Sequence, residues 1–201
     1  MTIRPRSLAA LALALAGALL PSAAGAHTGA DGAGGFASGF LHPLAGLDHV
    51  LAMVAVGLWG AQLGPPALWV LPVAFPLVMA LGGVAGIVGL PLPSVEWGIA
   101  LSVIVLGSAI ALDQRPRLAF AALVVAFFAV FHGYAHGAEL PAQVGPLAYS
   151  AGFVVATGTL HLAGIGLGLV ARLPNGLPAL RAGGSAIAAA GLYLAWRLLA
   201  A

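Results

Sequence analysis

The sequence has very little charge. Charged residues make up 6% of its 201 positions, lysine does not occur, and all seven basic residues are arginines. A soluble domain of this size needs polar groups to cover its surface, so this balance excludes one. The formal net charge of +2 is too small for a nucleic-acid surface, and no nucleic-acid partner is expected. Cysteine is absent as well, which removes disulfides, thiolate metal sites and cysteine nucleophiles. Any metal must then be held by imidazole, carboxylate, backbone or water. With only three methionines, sulfur sites for copper(I) are poorly supplied.

What is abundant is apolar: 62% of the residues are hydrophobic and the mean hydropathy is +1.10. The bilayer is the natural solvent for such a chain. Its N-terminus has the three parts of a secretory signal peptide, covering residues 1–26. Arg4 and Arg6 supply the charge, Leu8 to Leu20 the apolar run, and Ala24-Gly25-Ala26 the cleavage signal after Pro21. The rival reading, an uncleaved membrane helix, asks for a longer run. Cleavage after Ala26 would make His27 the first residue, joining an α-amine and an imidazole into a chelate for a divalent transition metal.

A membrane span takes roughly 20 apolar residues. Six stretches qualify in the remaining 27–201: 40–62, 67–90, 94–112, 117–137, 146–170 and 182–200. Short connectors rich in breakers separate them, among them Gly64-Pro65-Pro66 and Pro174-Asn175-Gly176 with Pro178. The expected fold is therefore an all-α integral membrane protein, a compact bundle of six transmembrane helices after a cleaved signal peptide. The 29 glycines, in runs such as Gly82 to Gly86 and Gly164 to Gly168, are read as close helix packing. The composition leaves a homo-oligomer open.

A cleaved signal puts the mature N-terminus outside. Arg115 and Arg117 then fall in the third loop, and Arg172 and Arg181 flank the fifth. Both loops are cytoplasmic, as the positive-inside rule requires. The expected location is a bacterial inner membrane with the mature N-terminus in the periplasm. Arg197 breaks the pattern and is expected to snorkel to the outer interface.

Ionisable groups inside a membrane are costly, so each is a candidate for function. HPLAGLDH, residues 42 to 49, puts His42, Asp48 and His49 at the outer end of the first span. FHGYAHGAE, residues 131 to 139, brings His132, His136 and Glu139 to the outer end of the fourth. His132 and His136 are four apart and share a helix face, with Glu139 on the same stripe. His42 and His49 are seven apart, about 10 Å along a regular helix, too far for one ion. Pro43 suits a first helical turn, so His42 is expected in extended chain just before the helix, free to turn back. One such residue alone usually serves packing, whereas this many at one depth favour a metal site. His161, mid-span in the fifth helix, reads equally as a deeper ligand or as a histidine bonded between helices. Glu96 reads as a favourable first-turn carboxylate, and Asp113 as an ion-pair partner of Arg115.

Imidazole with carboxylate suits nickel, cobalt, zinc, copper(II) and iron, and the residues do not choose among them. Residues 42–64, with an H-x5-D-H core, resemble the signature of the HupE/UreJ family of nickel/cobalt permeases. FHGYAHGAE resembles that family's second motif. The similarity runs over the whole mature chain. It implies a small secondary permease or channel-like facilitator, not an enzyme, without a prosthetic group. Its cargo would be Ni²⁺, sometimes Co²⁺, passed to metallochaperones for hydrogenase or urease. The resemblance implies His42, Asp48, His49, His132, His136 and Glu139 as metal residues. Two other classes compete. An intramembrane zinc hydrolase would use His132 and His136 as ligands, but lacks the H-E-x-x-H arrangement. A haem-binding electron carrier would leave Asp48 and Glu139 without a role.

Overall fold

The computed structural model describes residues 32–140, 145–169, 173–174 and 176–200. The expected signal peptide, its cleavage site and His27 lie outside the described residues. Those described form seven helices and no strand: α1 Gly32–Ala45, α2 Leu47–Leu63, α3 Ala67–Ile87, α4 Val95–Ala111, α5 Leu118–Ala138, α6 Pro146–Leu169 and α7 Gly176–Leu199. α3, α5, α6 and α7 are each long and apolar enough to cross a membrane. α1 and α2 qualify together as one span bent by 83°, and α4 is a shorter apolar helix of 17 residues. The chain is a multi-pass helical membrane protein. Large apolar side chains such as Leu77, Leu81, Leu123 and Phe127 face outward, as a lipid-facing surface requires.

α2 is the central helix. Its sequence is apolar all round, and nearly every residue from His49 to Gln62 is buried, which is how such a helix must sit. The other helices show one buried stripe each. In α3 it runs Leu71, Phe75, Met79, Gly82, Gly86, and in α5 it runs Ala121, Val125, Ala129, His132, His136.

Glycine brings the helices to backbone contact in pairs. A side chain at Gly133 or Gly137 of α5 would collide with the main chain of Met79 or Gly83 in α3. Gly57 of α2 meets the backbone of His161, and Gly164 of α6 that of Val54. Gly107 of α4 and Gly184 of α7 meet each other's helices in the same way. The direction in which partners advance gives the orientations. Met79 pairs with Gly133 and Gly83 with Gly137, so α3 and α5 run parallel. Val54 pairs with Gly164 and Ala61 with Gly168, so α2 and α6 do too, whereas Ile104–Gly191 and Ala111–Gly184 make α4 and α7 antiparallel. The packing role expected of the glycine runs holds for Gly82, Gly86, Gly164 and Gly168; Gly166 has nothing within 4 Å.

Three expectations are corrected. The first span is not one helix from residue 40: the chain is helical from Gly32, bends at Gly46 and restarts at Leu47. His42 and Pro43 lie within the last turn of α1, not in extended chain before a helix. A proline near a helix C-terminus costs a hydrogen bond, and the helix ends two residues later. Gly46 takes the extended conformation instead (φ −93°, ψ 114°). The last helix begins at Gly176 rather than 182, because Pro178 falls in its first turn, where its missing N–H would be unpaired anyway.

Candidate metal site

The bend at Gly46 does what an unwound His42 was expected to do. It turns α1 across the end of α2, so that His42 approaches α5. The His42 and His136 rings are 4.9 Å apart between centroids, and His42 Nε2 lies 3.5 Å from Glu139 Oε2. One ligand atom from each of His42, His136 and Glu139 can be chosen so that all lie within 4.8 Å of one another. Glu139 is the residue that caps the end of α5, its own N–H bonded to the Ala135 carbonyl, so the helix persists just far enough to aim it here.

Asp48 and His49 form the second group. Both are in the first turn of α2, where a carboxylate is favoured by the unpaired N–H groups of the helix end. One carboxylate oxygen, Oδ1, accepts from the His49 backbone N–H at 2.8 Å and lies 2.9 Å from His49 Nδ1. With Nδ1–H donating to Asp48, Nε2 is left as the lone-pair nitrogen, and it is buried without a hydrogen-bond partner among the described residues. A carboxylate behind an imidazole is the usual means of fixing the tautomer of a metal-binding histidine.

His136 joins the groups. Its ring lies 4.2 Å from that of His49 as well as beside His42, and Phe153 covers it at 4.2 Å. Both its nitrogens are buried without a partner among the described residues. Below it His132, fully buried, meets the His49 ring at 4.7 Å. Its Nε2 is 2.8 Å from the Ser102 hydroxyl, and that hydroxyl lies 2.6 Å from the Ile99 carbonyl. Unpaired imidazole nitrogens in an apolar interior are expensive, and a cation would satisfy several at once.

All six residues expected at the site are therefore brought to one end of the bundle. A cavity of about 280 Å³ opens there, lined by His42, Asp48, His49, His136 and Glu139 together with Glu96. A neighbouring cavity of about 240 Å³ shares Asp48 and Glu96 with it and reaches Arg197. Glu96 thus does more than begin a helix: it is a third carboxylate facing the same space. Arg197 sits at this end too, as a snorkelling residue at the outer interface would. His161 is not part of the group. It lies on α6 beside Gly57, eight residues and roughly 12 Å further along α2 than His49.

Sequence reasoning missed Ser102, Tyr149 and Phe75. Ser102 had a signal, as one of two hydroxyls amid the apolar residues of α4. Tyr149 stands 5.7 Å from the His42 ring with its hydroxyl buried and without a partner among the described residues. Phe75 touches His132 and His161 with ring centroids at 5.6 Å in each case; an apolar residue in an apolar helix announces nothing.

The opposite end of α2 is built differently. Gln62 Nε2 donates to Asp113 Oδ1 at 2.7 Å, and Arg115 Nε donates to the same oxygen at 3.0 Å. Trp59 donates to the Gln114 carbonyl and Arg181 to that of Ala111. This is a structural tie between α2, α4 and α7, and it includes the expected Asp113–Arg115 pair. Arg115, Arg117 and Arg181 all gather at this end, away from the histidines.

The family described as HupE / UreJ protein matches residues 13–194 of the chain. The chain is also 48% identical over 180 residues to Protein HupE of Rhizobium leguminosarum bv. viciae, covering 90% of this chain and 94% of that one. No solved structure matches.

Proposed function

The chain belongs to the HupE/UreJ family, and from that premise we propose that it carries a divalent transition metal ion, Ni²⁺ or Co²⁺, across a bacterial inner membrane. It acts as a secondary permease or channel-like facilitator and not as an enzyme. The observation that carries the reading is the convergence of His42, Asp48, His49, His132, His136 and Glu139, from three helices, at one end of the bundle. Nitrogen and oxygen donors in this mixture suit a borderline divalent ion better than magnesium or calcium.

The ion enters the cavity between α1, α2, α4 and α5, where Glu96, Glu139 and Asp48 draw it in. His42, His136 and Glu139 take the place of part of its water shell, and His49 and His132 receive it one turn deeper. Binding must be strong enough to strip water and weak enough to let go, which a ladder of small, overlapping groups provides.

In the proposed topology the bent pair α1–α2 is the first of six spans and α4 the third, following a cleaved signal peptide. The alternating helix directions support this, since spans one and five, and two and four, must run parallel. The arginine-rich end faces the cytoplasm. His27, once exposed by cleavage, adds a chelating residue at the mature N-terminus. Metallochaperones for hydrogenase or urease receive the ion inside.

The test is ion flux into liposomes containing the purified chain, with Ni²⁺, Co²⁺ and Zn²⁺ offered in turn. The expected result is uptake of Ni²⁺ or Co²⁺ that is lost in His136→Ala. No flux, with metal retained through dialysis and hydrolysis of a peptide or ester substrate, would favour the zinc hydrolase instead.

A further inference from the structure

Below the outer group the polar path does not end; it is interrupted. Phe75 of α3 is wholly buried, and its ring meets those of both His132 and His161, with centroids 5.6 Å away and planes at 59° and 77°. No direct ring contact links the two histidines among the described residues. His161 is 2% exposed, and neither of its nitrogens has a hydrogen-bond partner among the described residues. Thr157, one helical turn nearer the outer end of α6, is fully buried with its hydroxyl equally unpartnered. Two buried polar side chains one helical turn apart, without a partner among the described residues, cost folding energy that packing alone would have removed by choosing apolar residues.

Their position gives them a use. α6 runs parallel to α2, so from Tyr149, beside His42, to His161 the helix descends twelve residues, roughly 18 Å. His161 thus lies well below the outer cavity, at the level of Gly57, where His161 and α2 meet backbone to backbone. An ion leaving His132 towards this level meets the apolar ring that both histidines touch.

We propose that His161 and Thr157 form an inner station for the transported divalent cation, and that the Phe75 ring is the apolar gate dividing it from the outer histidines. The inference rests on the transport reading for its direction of travel, but not for the existence of the station. His161 supplies a borderline nitrogen donor and Thr157 a hydroxyl oxygen, with water completing the ion's shell. A lone imidazole holds such an ion weakly, which suits a site that must pass it on. A hydrophobic ring at a constriction holds back hydrated ions until it swings aside. Pro72 and Pro76 flank Phe75 in α3 and remove two backbone N–H donors from that part of the helix, loosening the segment that bears the gate.

The test uses the full chain purified in detergent and in liposomes, with Ni²⁺ as the probe. Equilibrium dialysis is expected to find, in His136→Ala, a weak residual site that disappears in the His136→Ala, His161→Ala double variant. In liposomes, His161→Ala is expected to lower uptake by about tenfold or more while the tight outer binding is unchanged. Phe75→Ala is expected to raise the rate of ion passage severalfold, and Phe75→Leu, which keeps an apolar plug, to stay near wild type. His161→Gln replaces the alanine variant if that one fails to insert. A residual site that persists in the double variant, or uptake unchanged by His161→Ala, would overturn the inner station. Passage unchanged by Phe75→Ala would overturn the gate. If the wild type carries no ion yet the His161-dependent site is present, the transport reading falls and the station stands.

Discussion

The Ser102 hydroxyl and the His132 imidazole meet at 2.8 Å in the buried interior, and a third atom sets the direction of their hydrogen bond. Ser102 has one proton, and it goes to the Ile99 carbonyl 2.6 Å away. His132 Nε2 must therefore carry a hydrogen and donate. That leaves Nδ1 with its lone pair, the buried nitrogen without a partner among the described residues. α4 thus fixes the tautomer of a histidine on α5. Ser102→Ala is expected to weaken Ni²⁺ binding by about tenfold to a hundredfold, the usual cost of losing such an outer partner. Ser102→Thr, which keeps the hydroxyl, should bind within about threefold of wild type. Isothermal titration in detergent measures both, and equal binding by all three proteins would remove Ser102 from the site.

Asp48 plays the same part for His49, at 2.9 Å, with a charge added. Asp48→Asn keeps the shape but replaces the charge and one acceptor oxygen with an amide. Uptake in liposomes is expected to fall by at least about tenfold, with the protein still inserted and monodisperse. Wild-type flux in this variant would show that the aspartate serves only to start α2.

Gly46 makes a sharper probe of the same pair. Its backbone, at φ −93°, suits any residue. A Cβ there, however, would stand 2.7 Å from Asp48 Oδ1 and 3.0 Å from His49 Nδ1. The carboxylate can swing aside, so Gly46→Ala should change thermal stability little while lowering Ni²⁺ affinity about tenfold. A large loss of stability with intact affinity would contradict this account of the bend.

Glycines in the α3–α5 seam should respond the opposite way. A side chain at Gly133 meets the Met79 backbone, which cannot move without shifting a helix. Gly133→Val is expected to destabilise by about 1–3 kcal/mol or more, read as a lower melting temperature in detergent. Gly166→Ala, with open space around it, should melt like wild type. Similar melting of the two variants would mean that the seam is not packed through backbone.

Much of this was legible in the sequence because membrane proteins advertise polar residues. Against an apolar background, His42, Asp48, His49, His132, His136 and Glu139 stood out, and the i, i+4 spacing of His132 and His136 sufficed to put them on one face. The bend was misread. Proline is the loud signal for a helix break, yet the chain stays helical through Pro43 and turns at Gly46. The choice depends on α1 lying across α6, with Gly39 against Tyr149 and Gly152 against Phe36, a tertiary contact that local spacing does not encode. Phe75 was invisible for another reason: its part depends on which two histidines its ring meets, and only the folded bundle sets that.

The backbone-tight seams also divide the donor groups between two bodies. His132, His136 and Glu139 travel with the α3–α5 pair, and so does Phe75, whereas His42, His49 and His161 belong to α1, α2 and α6. An ion held jointly by His136 and His42 or His49 would therefore be a removable rivet across the joint between these bodies. Its loading would draw the two bodies together and its release would free them.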